Sequence, residues 1–581
     1  MHKLREIIIL LLFSSCLTAF SQPKYEYWDE DKKQLKSEEH FLKGVPHGKT
    51  ASFYQSGAPA KLGWYKNGKQ DSAWTFYYPD GKVKAIENYN RGLKQGYNKY
   101  YYKSGAIAQE TVFFKDSPDS VWTSWYENEK VKSRESFVKG KRQGVWTYYF
   151  ENGNKESEGT FQNNKQEGEF VNYYSNGNVA EKGKYCAGKK CGIWMDYFEN
   201  GNTKSKKESL DSTQVLLWDL WTEKGEQLIK DGIGKVTTTY SNGAVKSVGS
   251  YERGMQNGTW DSYYANGELD YRVQFIDNKM NGAYSSFFSD KKKKSEGFYS
   301  NDKKSGHWIF YYENGKEQMS GDFEEGQRSG SWVYFFKNGN KEAEGFFKED
   351  KEIGTWNFWY EGGQRWRQGN FEQGQKAGKW TTWFENGKKL QEGNYVSGKE
   401  NGEWFAWFEN GQLKDQGIYQ QGESEGLWQG WFINGKPNYK GKFIKGKRNG
   451  EWQFWHEKSG KNREISHYVL GIKHGNWIQW TENGTIDSKG KYRRGKQHGT
   501  WEYYYETGAK MKEQHFNRGR LSGKAVSWNS SNQLVSVSHY KIIKDKRKGH
   551  RQSVPHGAWI FYDKNGKELN RIRYKEGIKI R

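Results

Sequence analysis

The chain has 581 residues and a formal net charge of +23, and 17% of its residues are Phe, Trp or Tyr. This length exceeds what one compact core accommodates, and the aromatic content excludes an intrinsically disordered chain, because disordered segments are poor in large apolar side chains. Lys and Glu are interleaved within the repeats, so the positive surplus indicates a solvated basic surface of diffuse charge.

The N-terminus has the pattern of a secretory signal peptide over residues 1–21. A basic start, Met1–Arg5, precedes an apolar stretch, Ile7–Phe13, that is too short to span a bilayer. Small residues at Ala19 and Ser21 suit cleavage before Gln22, which would give soluble export. A second interpretation stays open: Cys16 ends a sequence that resembles a lipobox and would then be lipidated. Either way we expect the periplasm, outer-membrane association or secretion, with no transmembrane span in the rest of the chain.

From residue 24 onward the chain repeats one unit with a step of 24 residues, shown well by Gly144–Gly168. An aromatic strand is followed by Asn152-Gly153, a dipeptide typical of a type I′ hairpin turn. A polar strand ending in Gly-x-aromatic and a second turn complete the unit. Counting the aromatic after Gly-x gives about 22 units. The framework positions are Trp146, Gly153, Gly159, Trp260, Trp308, Trp332, Trp356, Trp380, Trp404, Trp428 and Trp452.

This pattern predicts an all-β fold: an elongated, open antiparallel β-meander, a solenoid-like array of about 22 hairpins. Alternation places Trp332, Tyr334 and Phe336 on one face and Val333 and Phe335 on the other. Glycine in the second strand lacks Cβ, so a neighbouring ring can lie on the backbone. We therefore interpret most tryptophans as framework rather than as ligand platforms.

One shortened unit, with an 18-residue step between Trp218 and Val236, is the candidate for a kink near residues 225–234. It suggests two arrays, 24–231 and 232–581. Near the C-terminus a basic insertion, 541–555, interrupts the repeats and is predicted to project as a loop.

Cys186 and Cys191 are the two cysteines outside the predicted signal peptide. An even pair in an exported chain favours a disulfide, here across one turn. Two free thiols, or a metal or redox role, remain as alternatives.

The pattern Gly-x-Trp-x-x-Tyr-Tyr-x-Asn-Gly, then Gly-x-Phe-x-x-Gly-Lys, resembles the bacterial variant of the MORN repeat; Gly330–Gly354 and Gly378–Gly402 match it well. The resemblance covers nearly all of the chain after the signal peptide. It implies scaffolds associated with membranes or phospholipids, or protein–protein adaptors, and some relatives carry a putative antitoxin label. It transfers no functional residue, because the shared residues are the framework.

No catalytic, cofactor-binding or metal-binding residue is predicted. Gly393–Lys399 and Gly441–Lys447 resemble the start of a phosphate-binding loop, but Glu400 and Arg448 follow where Ser or Thr is required. The chain has neither His-Glu-x-x-His nor Gly-x-Ser-x-Gly. We therefore expect a protein that is not an enzyme and uses no cofactor.

The leading hypothesis is an exported scaffold that binds protein partners in the cell envelope or outside it, because repeat arrays present long surfaces on a fixed frame. The alternative is a binder of anionic glycan or phospholipid surfaces. A further alternative, implied by the resemblance, is an antitoxin-like neutralising protein. The predicted export argues against nucleic acid as the partner.

Overall fold

The computed structural model describes residues 22–211, 213–544 and 549–580, and within these ranges it contains strands and turns and no helix. The strands are β1 (Gln22–Tyr27), β2 (Leu35–Leu42), β3 (Val45–Phe53), β4 (Pro59–Lys66), β5 (Lys69–Tyr77), β6 (Val83–Asn90), β7 (Leu93–Lys94), β8 (Gly96–Tyr101), β9 (Ile107–Phe114), β10 (Ser117–Trp125), β11 (Val131–Val138), β12 (Lys141–Tyr149), β13 (Lys155–Gln162), β14 (Lys165–Tyr173), β15 (Val179–Cys186), β16 (Lys189–Tyr197), β17 (Thr203–Ser209), β18 (Val215–Trp221), β19 (Gln227–Lys230), β20 (Ile233–Thr239), β21 (Val245–Glu252), β22 (Met255–Tyr263), β23 (Leu269–Ile276), β24 (Lys279–Phe287), β25 (Lys293–Ser300), β26 (Lys303–Tyr311), β27 (Glu317–Glu324), β28 (Gln327–Phe335), β29 (Lys341–Lys348), β30 (Lys351–Trp359), β31 (Arg365–Glu372), β32 (Gln375–Trp383), β33 (Lys389–Val396), β34 (Lys399–Trp407), β35 (Leu413–Gln420), β36 (Glu423–Trp431), β37 (Pro437–Ile444), β38 (Lys447–Trp455), β39 (Asn462–Val469), β40 (Ile472–Trp480), β41 (Ile486–Arg493), β42 (Lys496–Tyr504), β43 (Lys510–Asn517), β44 (Arg520–Trp528), β45 (Leu534–Lys544), β46 (Arg551–Pro555), β47 (Gly557–Tyr562), β48 (Glu568–Lys575) and β49 (Ile578–Ile580).

Successive strands pair antiparallel, as in β12–β13 and β13–β14, so the chain forms an open meander and the predicted fold class is confirmed. The chain divides into two compact units. One comprises the described residues of Met1–Gly267 with Gln274–Lys279, and the other comprises Glu268–Val273 with the described residues of Met280–Arg581. The boundary between 231 and 232 and the kink near 225–234 stay predictions.

The two turns of each repeat differ in backbone conformation, and their assignment corrects the sequence-based prediction. In the first turn only Gly153 has positive φ, +96°, and its N–H donates to the Phe150 carbonyl at 2.9 Å. This is the conformation of a type I turn followed by a left-handed glycine, so the type I′ prediction for Asn-Gly was wrong. Hydrogen bonds of the Asn152 side chain account for the type I conformation of this turn. Its Oδ1 accepts from the Asn154 N–H at 2.9 Å, and its Nδ2 donates to the Ser175 carbonyl at 2.6 Å.

Positive φ at both central residues, which a type I′ turn requires, occurs instead in the second turn. Asn163 and Asn164 have φ of +50° and +72° and connect the paired residues Gln162 and Lys165. The second turn is therefore the tight hairpin of the unit. Its first central position is usually a residue other than Asn, as at Lys43, Arg91 and Glu325. The Asn-Gly signal therefore pointed to the other turn.

The hydrophobic core runs along one face of the sheet, where each framework tryptophan lies on a glycine of the preceding strand. Trp332 is 1% exposed, and a Cβ built on Gly321 would lie 2.3 Å from its ring. The indole N–H donates to the Asp322 carbonyl at 3.1 Å, and the Phe323 ring contacts the indole edge-on at 5.2 Å. Neighbouring rings thus bury the tryptophan without a second layer of secondary structure.

Side chains near the first turns connect each repeat to the next. The Tyr312 hydroxyl donates to the Phe335 carbonyl at 2.8 Å, and Tyr360 does the same to Trp383. Asn314 Nδ2 donates to the Lys337 carbonyl at 2.9 Å. Because the partners are 23 residues apart, these bonds stabilise one repeat against its neighbour.

The basic insertion at 541–555, predicted to be a loop, is a hairpin extension in its described residues. β45 continues to Lys544 and pairs with β46, with Lys541 opposite Val554 and Ile543 opposite Gln552. The loop prediction was wrong here because Ile542, Ile543 and Val554 supply β-branched side chains that favour a strand.

Cys186 and Cys191 are joined by a disulfide, with their Cα atoms 5.9 Å apart. Cys186 lies opposite Lys189 and Cys191 opposite Lys184, so the bond crosses the β15–β16 hairpin diagonally. Cys16 lies outside the described residues, as does the whole predicted signal peptide.

Replacing both cysteines, Cys186→Ser with Cys191→Ser, is expected to lower the free energy of unfolding of this hairpin by at most about 2 kcal/mol, because the closed loop is short. Hydrogen exchange measured by mass spectrometry should show faster exchange near residues 182–194 and no change in distant repeats. Reduction of the unmodified chain is the control and should give the same local change. Faster exchange throughout the chain would contradict a local role.

Ion pairs at Glu502 make the stability of the fold sensitive to low pH. Lys489 Nζ lies 2.8 Å and Lys510 Nζ 2.5 Å from its carboxylate oxygens, and the Tyr504 hydroxyl donates to it at 2.9 Å. Burial raises the pKa of this carboxyl, but the three hydrogen bonds outweigh burial and lower the pKa to about 2.

Since the pKa in the folded state lies below the ordinary 4.5, the carboxylate stabilises the fold above that pH. The contribution is lost as pH falls from about 4.5 towards 2. We expect Glu502→Gln to reduce stability in urea at pH 7 and to differ little from the unmodified chain at pH 2. A stability difference that stayed constant over this range would show that the carboxylate charge has no role.

Candidate functional site

The predicted framework tryptophans lie in the buried ladder. Trp146, Trp308, Trp332 and Trp452 are each 1% exposed, and Trp356, Trp380, Trp404 and Trp428 are also buried. Trp260 is partly buried and lies on Gly249. These indole faces contact backbone and neighbouring rings, so they are not available for stacking on a ligand.

A groove of about 650 Å³ opens on the tryptophan face between β28 and β32. It combines apolar and acidic side chains within one compact unit. The lining residues are Arg328, Tyr334, Phe336, Glu342, Ala343, Phe347, Glu352, Trp356, Phe358, Trp359, Tyr360, Glu361, Trp366 and Glu385.

The floor of the groove is a continuous set of ring contacts. Phe358 stacks on Trp356, with ring centroids 5.9 Å apart, and meets the Trp366 ring edge-on at 6.3 Å. Tyr360 contacts Trp366 at 6.0 Å. Because each ring is held by another ring, the floor is pre-formed for an apolar or cationic group.

Tyr360 is held at the groove by the bond from its hydroxyl to the Trp383 carbonyl. Burial raises the pKa of Tyr360, and the nearby Glu385 carboxylate raises it further. Tyr360 therefore stays protonated and keeps its donor at neutral pH. The backbone of the next repeat thus fixes the orientation of a groove ring.

Two arginines of this region are already engaged within the chain. Arg328 Nε donates to Asp350 at 3.0 Å, and the guanidinium lies 3.9 Å from the Phe347 ring centroid. Arg367 stacks over Trp366 at 4.0 Å, and burial lowers its pKa. Glu342, Glu361 and Glu385 are exposed, which leaves an acidic rim around an apolar floor in a chain whose net charge is positive.

Trp366 is the groove residue that the sequence-based reasoning missed. It lies on the second, usually polar, strand of its unit, where units before and after carry Glu342, Leu390 and Lys414 at steps of 24 residues. The available signal was this departure from the repeat pattern. A residue that departs from the repeat pattern is not required by the fold of the repeat. It is therefore a better candidate for binding than a residue that conforms to the pattern.

The composition of the groove lining is suited to binding. Its lining has no Ser, Cys, His or Lys side chain, and in the described part of the chain no three His, Cys, Asp or Glu side chains are placed to hold a metal ion together. The rings can accept apolar side chains, and the carboxylates favour a cation beside them.

Comparisons with known proteins address the repeats directly. The family described as MORN repeat variant matches residues 70–91, 142–163, 166–187, 256–277, 376–397, 400–421, 473–494 and 497–518. No match is found among curated proteins.

Among the described residues there is no helix with the length and apolar character needed to cross a membrane.

Solved structures give alignments over most of the chain with very low similarity. A crystal structure of TcdB2-TccC3 is 10% identical, with 96% of this chain and 32% of that chain covered and a TM-score of 0.13. A structure of the Photorhabdus luminescens Tc holotoxin pore is 10% identical, with coverage of 96% and 33% and the same TM-score. The chain spans about a third of the length of these structures, and scores this low carry no argument about fold or function.

Proposed function

Because this chain belongs to the MORN repeat variant family, we propose that it is a non-enzymatic scaffold that binds another protein. The groove around Trp366 is the contact site we assign to that partner. The repeats form the frame, and the residues that break the repeat pattern give the specificity.

The observation that carries this proposal is an accessible aromatic floor next to exposed carboxylates. Trp366 and Tyr360 supply ring surface, and Glu361 and Glu385 supply negative charge at the rim. Protein contacts concentrate their free energy in aromatic residues surrounded by a polar rim. The complementary partner segment carries an aromatic or aliphatic side chain next to a Lys or Arg.

The decisive test is selection of displayed peptides on the full-length chain. We expect enrichment of peptides that place an apolar residue beside Lys or Arg. Trp366→Glu should abolish their capture, and this variant is expected to fold because Glu342 occupies the same position one repeat earlier. Trp64→Glu is the matched control, since Trp64 is 52% exposed and far along the sequence from the groove.

Equal capture by the Trp366→Glu variant and the unmodified chain would overturn the assignment of the groove. The same holds if Trp64→Glu reduced capture as strongly, because binding would then follow general exposed aromatic surface. Far-ultraviolet circular dichroism of each variant establishes that the sheet is retained.

We also propose that the scaffold acts outside the cytoplasm. The support is the composition of residues 1–21, a basic start followed by a short apolar stretch. Mass spectrometry of the mature N-terminus from the native host is the test. A start at Gln22 supports soluble export, an acylated Cys16 supports membrane anchoring, and an intact Met1 in the cytoplasm overturns both.

A further inference from the structure

Six cationic side chains converge near the C-terminus, at the second turns of the last repeats. They line a pocket of about 640 Å³ formed by Arg493, Arg494, Lys496, Arg518, Arg520 and Arg551. The lining contains no carboxylate. This concentration departs from the diffuse charge that the interleaved Lys and Glu of the sequence suggest.

The repeat step and the basic insertion together create this cluster. Arg494 and Arg518 occupy the same second-turn position in successive repeats, with φ of +53° and +52°. The next repeat is interrupted by the extension of β45 and β46, which adds Arg551 to the same pocket. Positively charged side chains from two turns and from one inserted strand therefore line the same pocket.

Specific contacts hold the inserted strand in place. The Ser553 hydroxyl donates to the Leu521 carbonyl at 2.8 Å, and Arg520 Nε donates to the Arg551 carbonyl at 2.5 Å. β46 is thereby fixed beside the start of β44, and Arg520 is oriented by a backbone group. The part of the pocket wall that carries Arg520 and Arg551 is thus held by contacts between β44 and β46.

The charges of the pocket are not neutralised within the described part of the chain. None of the six side chains forms an ion pair with a described carboxylate, whereas Lys489, one strand away from Lys496, is paired with Glu502. Like charges held close together repel one another. A bound anion would relieve this repulsion and would receive several charge-assisted hydrogen bonds at once.

Equivalent second turns elsewhere carry the opposite charge, so the repeat frame does not require a basic pocket. A comparable cavity at the turns around residues 325 and 349 is lined by Glu324, Glu325, Gln327, Ser329, Lys348 and Glu349. The positions tolerate either sign of charge. Five arginines at one place are therefore a local property of the C-terminal repeats.

We propose that this pocket binds a compact polyphosphate, a ligand with several linked phosphate groups. Guanidinium groups match the oxygens of phosphate with paired hydrogen bonds. Each phosphate group of such a ligand is anionic at neutral pH, and linked phosphates place several negative charges in a small volume. Six cations around one pocket suit such charge density better than a single carboxylate or an extended, sparsely charged polymer.

The test is calorimetric titration of the full-length chain with inorganic tripolyphosphate in 150 mM salt. We expect one site, and at least tenfold weaker binding of orthophosphate. Arg518→Gln with Arg520→Gln should weaken tripolyphosphate binding at least tenfold. Lys445→Gln with Lys447→Gln is the matched control: it removes the same charge at a second turn outside the pocket and should change affinity less than twofold.

Hydrogen exchange provides a second readout. Tripolyphosphate should protect residues 517–522 and 549–556 in the unmodified chain and in the Lys445/Lys447 variant, but not in the Arg518/Arg520 variant. The last variant must keep the exchange pattern of other repeats, which shows that it is folded.

Several results would overturn the proposal. The first is no binding of tripolyphosphate; the second is equal weakening by both variants, which would indicate diffuse charge. A third is tighter binding of a sulfated oligosaccharide than of tripolyphosphate, which would place the site in a different ligand class. A fourth is binding to vesicles of anionic phospholipid that tripolyphosphate does not displace.

Discussion

Gly321→Ala is expected to destabilise its repeat by about 3 kcal/mol, because the added methyl group has no space. A Cβ at this position would lie 2.3 Å from the Trp332 ring, and atoms at that separation overlap. The ring cannot move away easily, since Phe323 and Phe347 contact it from two sides. Hydrogen exchange in increasing urea, followed over residues 317–347, measures the effect.

Gly362→Ala is the matched control for this substitution. The nearest atom to a Cβ at Gly362 is Oε1 of Gln364, the far end of a flexible and exposed side chain. We expect a change of stability below about 0.5 kcal/mol. Equal losses of stability from the two alanine substitutions would show that the backbone freedom of glycine, rather than contact with the indole, causes the destabilisation.

Trp332→Ala is expected to lower the local free energy of unfolding by about 3–5 kcal/mol. The side chain is 1% exposed, so its removal leaves a cavity beside Phe323 and deletes the hydrogen bond to the Asp322 carbonyl. Phe323, Tyr334 and Phe347 surround the indole, and each also packs against a second tryptophan, so they cannot easily move in to fill the space. The same exchange experiment should show faster exchange in the repeats adjacent to Trp332, with distant repeats unchanged.

Two comparisons test this interpretation. Trp64→Ala removes a tryptophan that is 52% exposed and should cost far less. Combining Gly321→Ala with Trp332→Ala should cost less than the sum of the single changes, since the methyl group then occupies the space of the missing ring. Strict additivity would argue against direct contact as the origin of both effects.

The strands of one repeat and the faces of their side chains could be predicted from the sequence, because they depend on residues close together along the chain. The step of 24 residues indicated the strands, and alternation placed Trp332 and Tyr334 on the same face. The turn types were harder to predict, since an Asn-Gly pair suits more than one hairpin turn. Asn152 is held by a bond to Ser175 in the next repeat, which a reading of one unit does not reveal.

The sequence by itself determined that this is an all-β repeat chain with aromatic residues as its frame, because strand propensity, turn residues and period are local properties. The tertiary structure alone decided where binding surfaces arise. The groove at Trp366 and the cluster of Arg494, Arg518 and Arg551 each join residues from several repeats and, for the cluster, from an inserted strand. Whether such side chains meet depends on the pairing of strands that are distant in sequence, and that pairing becomes visible in the folded sheet.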